Sequence, residues 1–291
     1  MKLKKRLIAL VCVLMMLLSL AACGGEPTPP PDPLETAMEN LKTVENLQAD
    51  AKMDMTMTVN GETVDTKTSM DMIYYINPLR MLMEMETVAN GETVSLTMAC
   101  EQSEDGIDIY YADDENWYYQ KIDLDEANSM QGFDYRPDQA IGDYSYTADG
   151  TEEIDGVTLY KYTCELTGEA MQEAMNSSGA MNSMGDTGIS AEDMEEMFKS
   201  LDGLSIKASV WISEDEMLPV RYEMDMTDLM NAIMSYSMET AAKNAGVSVD
   251  ELGIQMSVSK VVVTMEYYNY DYADDFEVPA EIVDYFKGEE Q

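Results

Sequence analysis

Apolar residues recur at every second position through much of this chain, and that period predicts β-strands. Met53, Met55 and Met57 alternate with Asp54, Thr56 and Thr58. Met70 and Met72 run on into Tyr74 and Ile76, and Met81, Met83 and Met85 and then Met224 and Met226 repeat the arrangement. Between alternating runs stand Asn60-Gly61-Glu62-Thr63-Val64 and Asn90-Gly91-Glu92-Thr93-Val94. Asn-Gly favours the two-residue turn with positive φ that joins antiparallel strands, so two consecutive hairpins share one turn chemistry. Asn77-Pro78 turns the chain between them. Short strands at 107–111 and 117–122 extend the meander, and further strands fall at 157–166, 204–212, 220–226 and 254–270.

A period of three to four predicts helices elsewhere. Leu34, Ala37, Met38, Leu41, Val44 and Leu47 form one stripe over 34–47, and Met230, Ile233, Met234, Ser237, Met238 and Ala241 form another over 227–243, with Gly246 as its stop. Residues 123–142 lose alternation and read as a short helix and a connection around Arg136-Pro137. The Ser-, Asn-, Gly- and Met-rich stretch 176–188 reads as a mobile loop, and Ser190 opens a helix through Leu201. The sum is about ten or eleven antiparallel strands with helices in the connections, an α+β layout built on a single curved sheet.

The N-terminus is of another kind. Lys2, Lys4, Lys5 and Arg6 precede an apolar run from Leu7 to Leu18, which is short for a spanning helix and right for a secretory leader. Leu20-Ala21-Ala22-Cys23 closes it and resembles the bacterial lipobox. That resemblance implies removal of residues 1–22 as a signal peptide and acylation of Cys23, a membrane anchor that two or three chains make stable. Residues 24–33, Gly-Gly-Glu-Pro-Thr-Pro-Pro-Pro-Asp-Pro, prefer extended polyproline conformations, so 23–33 reads as an acylated cysteine and stalk of roughly 30 Å. The globular domain is then 34–291.

Charge narrows the partners. The sequence holds 17 Lys and Arg against 57 Asp and Glu, and the leader carries four of those bases and none of the acids, leaving a net charge of −44 after its removal. Nucleic acid is excluded as a partner, because phosphate recognition needs clustered cations. The same charge disfavours flat contact with anionic lipid headgroups, so membrane association should rest on Cys23. There is no histidine, which removes His-dependent hydrolase arrangements and the common zinc sites. No catalytic residue, metal site or cofactor is assigned. Cys100 and Cys164 remain after the leader and the anchor cysteine are set aside. Parity aims both at an apolar side, and they read either as a disulfide between neighbouring strands or as two buried thiols.

The 28 methionines carry three readings. Met is a flexible filler of irregular cores, a deformable lining for varied apolar ligands, or a thioether ligand for Cu(I). Regular sheet positions suit the first two better than the third. As a lining, the candidates are Met53, Met55, Met57, Met70, Met72, Met81, Met83, Met85, Met98, Met224, Met226, Met230, Ile233 and Met234. The Asp- and Tyr-rich segments 110–115 and 267–276 lack the loop pattern of a calcium site.

The opening helix before a hairpin meander, Val210-Trp211-Ile212-Ser213 followed by an acidic turn and Leu218-Pro219-Val220-Arg221, and the terminal Val278-Pro279 together resemble the half-barrel of the LolA-like superfamily and of mycobacterial lipid-carrier lipoproteins. Within it, the chain is similar to uncharacterised lipoproteins of monoderm bacteria. The resemblance implies a curved sheet of about ten or eleven strands wrapped on helices, with an apolar concavity for acyl chains, and a non-enzymatic lipoprotein that binds a lipid or other apolar molecule. The alternative is an envelope structural or protein-interaction lipoprotein with an ordinary closed core; no protein partner is indicated. The anchor has a direct test. Cys23→Ala should leave the protein uncleaved or release it, so that it leaves the detergent phase on phase partitioning; retention as a processed, acylated protein excludes the lipobox reading.

Overall fold

The computed structural model describes residues 32–112, 116–123, 141, 144–167, 203–280, 282–283 and 286. Residues 1–31 lie outside them, and with them the predicted leader, Cys23 and most of the stalk. So do most of 123–142, the 176–188 stretch and the 190–201 helix. A compact unit, Pro33–Gln291, contains every described element. It begins with helix α1 (Pro33–Leu41) and runs through β1 (Asn46–Val59), β2 (Glu62–Tyr75), β3 (Arg80–Ala89), β4 (Glu92–Gln102), β5 (Gly106–Ala112) and β6 (Trp117–Asp123). Then come β7 (Thr147–Ile154), β8 (Val157–Thr167), β9 (Ser205–Ser213), β10 (Pro219–Asp225), helix α2 (Thr227–Ala245), a short 3-10 turn and β11 (Met256–Tyr268). The eleven strands form one antiparallel sheet in the order β6-β5-β4-β3-β2-β1-β11-β10-β9-β8-β7. It is open, with β6 and β7 at its edges.

Local chemistry explains the meander. Asn60 and Gly61 take φ 51° and 87°, and Asn90 and Gly91 take 54° and 82°, as the two Asn-Gly hairpins require. The first turn is also tied to the start of β11: Asn60 donates its backbone N–H to the carbonyl of Gln255 (2.7 Å) and accepts from the Gln255 N–H through Oδ1 (2.9 Å).

Curvature follows from the core. Ile107, Ile109 and Ile122 from the β5–β6 flank share one buried cluster with Tyr162, Cys164, Leu166 and Ile206 from the β8–β9 flank. The cluster runs unbroken along one face from flank to flank, the lining that a sheet curled into a half-barrel provides. Ala37 and Leu41 of α1 are buried in the same cluster, and Leu34 and Met38 pack on it. The convex face is treated differently. Over β3–β6, Ala99 and Tyr110 are covered by Val278, with Ile282, Val283 and Phe286 alongside. Arg80 holds that segment down: it pairs with Asp275 (3.1 Å) and Glu101 (3.5 Å), donates to the Phe276 carbonyl, and lies over the Tyr75 and Phe276 rings.

Elsewhere the convex face carries charge. One cross-strand row reads Lys161, Trp211, Arg221, Glu266, Asp50, Asp71 and Glu84. Trp211 lies beneath two cations, with Lys161 Nζ 4.8 Å and Arg221 Cζ 5.2 Å from its ring, and donates Nε1–H to Glu152 (3.0 Å). Further along, like charges stand side by side. Desolvation and the neighbouring Asp50 and Glu84 raise the Asp71 pKa, against a smaller lowering by Lys52.

Three expectations are corrected. The first helix ends at Leu41, not near 47: Val44 donates back to Leu41 O (3.2 Å), and Leu47 is already paired with Tyr74 in β2. Residues 41, 44 and 47 satisfy a spacing of three, yet 47 also fits the period of two that continues through 49 and 51, and strand pairing decides it. Second, β7 has no counterpart in the apolar pattern, because six of its eight residues are exposed. Its signal is the turn Asp155-Gly156, at φ 51° and 81°. Third, β10 stops at Asp225, so Met226 is the residue before α2 and not a member of the sheet face.

The last point locates α2. β10 pairs with β11 only over 262–266, leaving the edge of β11 from 256 to 261 without a strand. The helix fills that role with side chains. Asn231 accepts from Val258 N–H (2.9 Å) and donates to Val258 O (2.7 Å), Thr227 Oγ1 accepts from Val261 N–H (2.9 Å), and Met226 N–H donates to Val261 O (2.8 Å). A bulge at Ser259 keeps both Val258 and Val261 on the buried side, although they are three residues apart. Asn231→Ala therefore leaves a half-buried N–H and C=O unpaired and should cost about 1–3 kcal/mol in a denaturant melt; Ala232→Ser on the same helix should cost far less.

Candidate apolar binding face

Strand parity puts every candidate methionine of the sheet on the concave side. Register gathers them into rows: Ala49, Met72, Met83, Met98 and Tyr111 in one, and Ala51, Met70, Met85 and Leu96 in the next. A third row runs from Met53 through Thr68, Thr87 and Val94 on one side and through Val263, Met224, Ala208 and Cys164 on the other.

Burial grades along these rows. Beside α1, the row of Leu47, Tyr74, Met81, Cys100 and Ile109 is fully buried. Met72 and Met83, one row up, are buried as well. Met70, Met98 and Met224 are half-buried and pack on the core. Towards the Asn-Gly turns, Met53, Met55, Met57 and Met85 are half-buried without belonging to that packed set, and Val94 at the far end is 61% exposed. The concave side thus has a closed floor and a thinly covered rim.

Met226, Met230, Ile233 and Met234 are half-buried too, on or just before α2 and outside the packed set, whereas Leu229 packs on the core and Ala242 is buried. The backbone brings this helix to the rim: Val261 pairs with Met55 on one side and accepts from the Met226 amide on the other. Methionine and threonine alternate with the rows here, since Thr66 faces Met55 and Thr68 bonds Thr87 hydroxyl to hydroxyl at 3.0 Å. Unbranched thioethers with small hydroxyl neighbours make a pliable surface of low polarity. Among the described residues, no group of His, Cys, Asp and Glu is placed to hold a metal ion. Nor is any described helix long and apolar enough to cross a membrane.

A family model, DUF6612, described as a family of unknown function, matches residues 32–287. The chain belongs to this family. Solved structures share its outline loosely. The Mycobacterium tuberculosis lipoprotein LppX is 13% identical, over 84% of this chain and 96% of that one, with a TM-score of 0.42. LprF from Mycobacterium bovis is 10% identical, over 85% and 95%, at 0.44. A LolA superfamily protein from Nitrosomonas europaea is 13% identical, over 86% and 94%, at 0.23. No curated protein matches the chain in sequence.

The DUF6612 chain holds Cys100 and Cys164 as free, buried thiols. Both face the concave core, as parity predicts, but they are not in neighbouring strands. Six strands separate β4 from β8 in the sheet. Their rows also differ, Cys100 sharing the row of Leu47 and Cys164 that of Met53, a further offset of ~20 Å along the strands. A disulfide needs Cα atoms within about 7 Å. Burial pushes the Cys100 thiol up to about 12, a backbone hydrogen bond at Met81 opposing it weakly. Burial also raises Cys164, against hydrogen bonds with Tyr146 and the Ala208 backbone. Neither thiol forms thiolate at neutral pH, so neither is a nucleophile. Iodoacetamide at pH 8 should leave the native protein unmodified and label both cysteines after denaturation without reductant; a protein that takes up label only after reduction carries the bond.

The sequence pattern alone passed over three residues that shape this face. Asn231 and Thr227 lie among polar residues of α2 that read as solvent-facing. Tyr222 shares parity with Met224 and reads as ordinary core, although its hydroxyl sets it apart.

Proposed function

We propose that this DUF6612 chain is an extracytoplasmic lipoprotein, held to the membrane by acylated Cys23, whose concave face binds a lipid or other apolar molecule without chemical change. The observation that supports this reading is the graded burial of the methionine rows. A closed core would bury Met53, Met55, Met57 and Met85 as fully as Met81 and Met83, yet all four remain half-buried beside the half-buried residues of α2. Half-covered apolar surface gathered on one concave side is a place where a hydrocarbon chain gains burial. Methionine suits it because its side chain re-packs around ligands of different shape. The loose likeness to LppX and LprF, one of which is named a lipoprotein, agrees with the lipobox at Leu20-Ala21-Ala22-Cys23.

The high negative charge lies away from these rows, as the convex ladder of Glu266, Asp50, Asp71 and Glu84 illustrates. Such charge keeps the domain dispersed and off anionic surfaces. The test is binding by the isolated Pro33–Gln291 unit. Native mass spectrometry after detergent-free purification should find a copurifying apolar molecule, and the stripped domain should bind an alkyl fluorophore. Met53→Glu with Met55→Glu should weaken that binding at least tenfold while the melting temperature changes little, because these side chains are not part of the packed core. No ligand and no fluorophore binding would leave the envelope-interaction reading with its closed core.

A further inference from the structure

Tyr222 sits in β10 with its side chain on the concave side, paired with Val210 and Met265, and is only 3% exposed. Its hydroxyl has no hydrogen-bond partner. That is unusual for a buried polar group and calls for an explanation. Other tyrosines of the core are satisfied: Tyr146 donates to Ile141 O at 3.0 Å, and Tyr270 donates to Pro219 O at 2.7 Å. Cys164 and Tyr144 lie close enough to Tyr222 to act on its ionisation, but Cys164 is engaged with Tyr146 and the Ala208 backbone. Burial, then Cys164 and Tyr144, push the Tyr222 pKa up, so the group stays a neutral donor at every physiological pH.

The surroundings define the missing partner. Val210, Met265 and Met224 are apolar, and of the polar neighbours Cys164 and Tyr146 are bonded to each other and Tyr144 has an interaction of its own, so a lone water there would find few free groups to bond. Among the described residues, Cys164 and Tyr144 are the groups that act on the Tyr222 ionisation, and no Lys or Arg does. Lys161 and Arg221 are turned to the convex side by Trp211. A carboxylate or phosphate buried beside Tyr222 would therefore lack a counter-charge, which is costly. An uncharged acceptor embedded in hydrocarbon meets every condition at once, and the commonest such group in a lipid is an ester carbonyl.

We infer that the concave face takes a neutral acyl ester, whose carbonyl oxygen accepts a hydrogen bond from the Tyr222 hydroxyl while its chain lies along the methionine rows. This rests on the apolar-binding reading above and adds the chemical class of the ligand. Free fatty acid and anionic phospholipid are discriminated against, and a neutral acylglycerol is favoured.

The experiment compares a monoacylglycerol with the alkyl glycerol ether of equal chain length, which lacks the carbonyl, by calorimetric titration into the stripped Pro33–Gln291 unit and its Tyr222→Phe variant. The native domain should prefer the ester by about threefold to tenfold. Tyr222→Phe should remove that preference and leave ether affinity within about twofold. Without ligand, Tyr222→Phe should melt at the same temperature or higher, because it deletes an unpaired hydroxyl; a clear drop would reveal a protein partner and overturn the assignment. Equal affinity of the native domain for ester and ether, or a preference that survives in the variant, overturns the role of Tyr222 and leaves apolar binding standing. Binding of neither ligand by the native domain overturns the apolar-binding reading itself.

Discussion

An open sheet of eleven strands presents two broad faces, and strict alternation of side chains is what lets one chain treat them differently. Every other feature depends on keeping that parity. A slip of one residue anywhere in β1, the central strand, would send Met53, Met55 and Met57 to the convex side and Asp54, Thr56 and Thr58 into the core. The Asn-Gly turns fix register on one flank of β1. On the other flank β11 must change pairing partner midway, from β10 to a helix, and there the bulge at Ser259 absorbs the extra residue that would otherwise invert the pattern.

The two faces then diverge in chemistry. The concave one is aliphatic and sulfur-rich, closed at the α1 end and thinly covered towards the hairpin tips. The convex one is finished by three devices: a cation–aromatic–cation stack on Trp211, a ladder of carboxylates, and the terminal segment fastened by Arg80. Like charges at adjacent cross-strand positions oppose pairing. The ladder is tolerated because its members are partly solvated and because Lys52 and Arg221 sit at one end of it. Most of the buried apolar surface therefore lies inside the curl, while the outside is largely charged.

Much of this was legible in the amino-acid sequence, because the strong signals are local. The paired Asn-Gly turns, the period-two methionines, the last helix with its Gly246 stop and the strand count all follow from short-range rules. What failed was non-local or two-valued. Leu47 fits both a helical stripe and a strand, and only pairing with Tyr74 resolves it. β7 is polar because it is an exposed edge, so the apolar pattern cannot reveal it, although Asp155-Gly156 marks its turn. Parity gave the correct face for Cys100 and Cys164 but says nothing of the six strands between them. The unsatisfied hydroxyl of Tyr222 is likewise a property of its surroundings, invisible in the alternation of Tyr222 with Met224.

The separation of those two thiols sets how the protein matures. With no covalent cross-link among its described elements, the half-barrel draws its stability from packing, hydrogen bonds and ion pairs. A chain so built needs no thiol oxidase, waits on no disulfide exchange to reach its native state, and keeps its fold whether its surroundings are oxidising or strongly reducing.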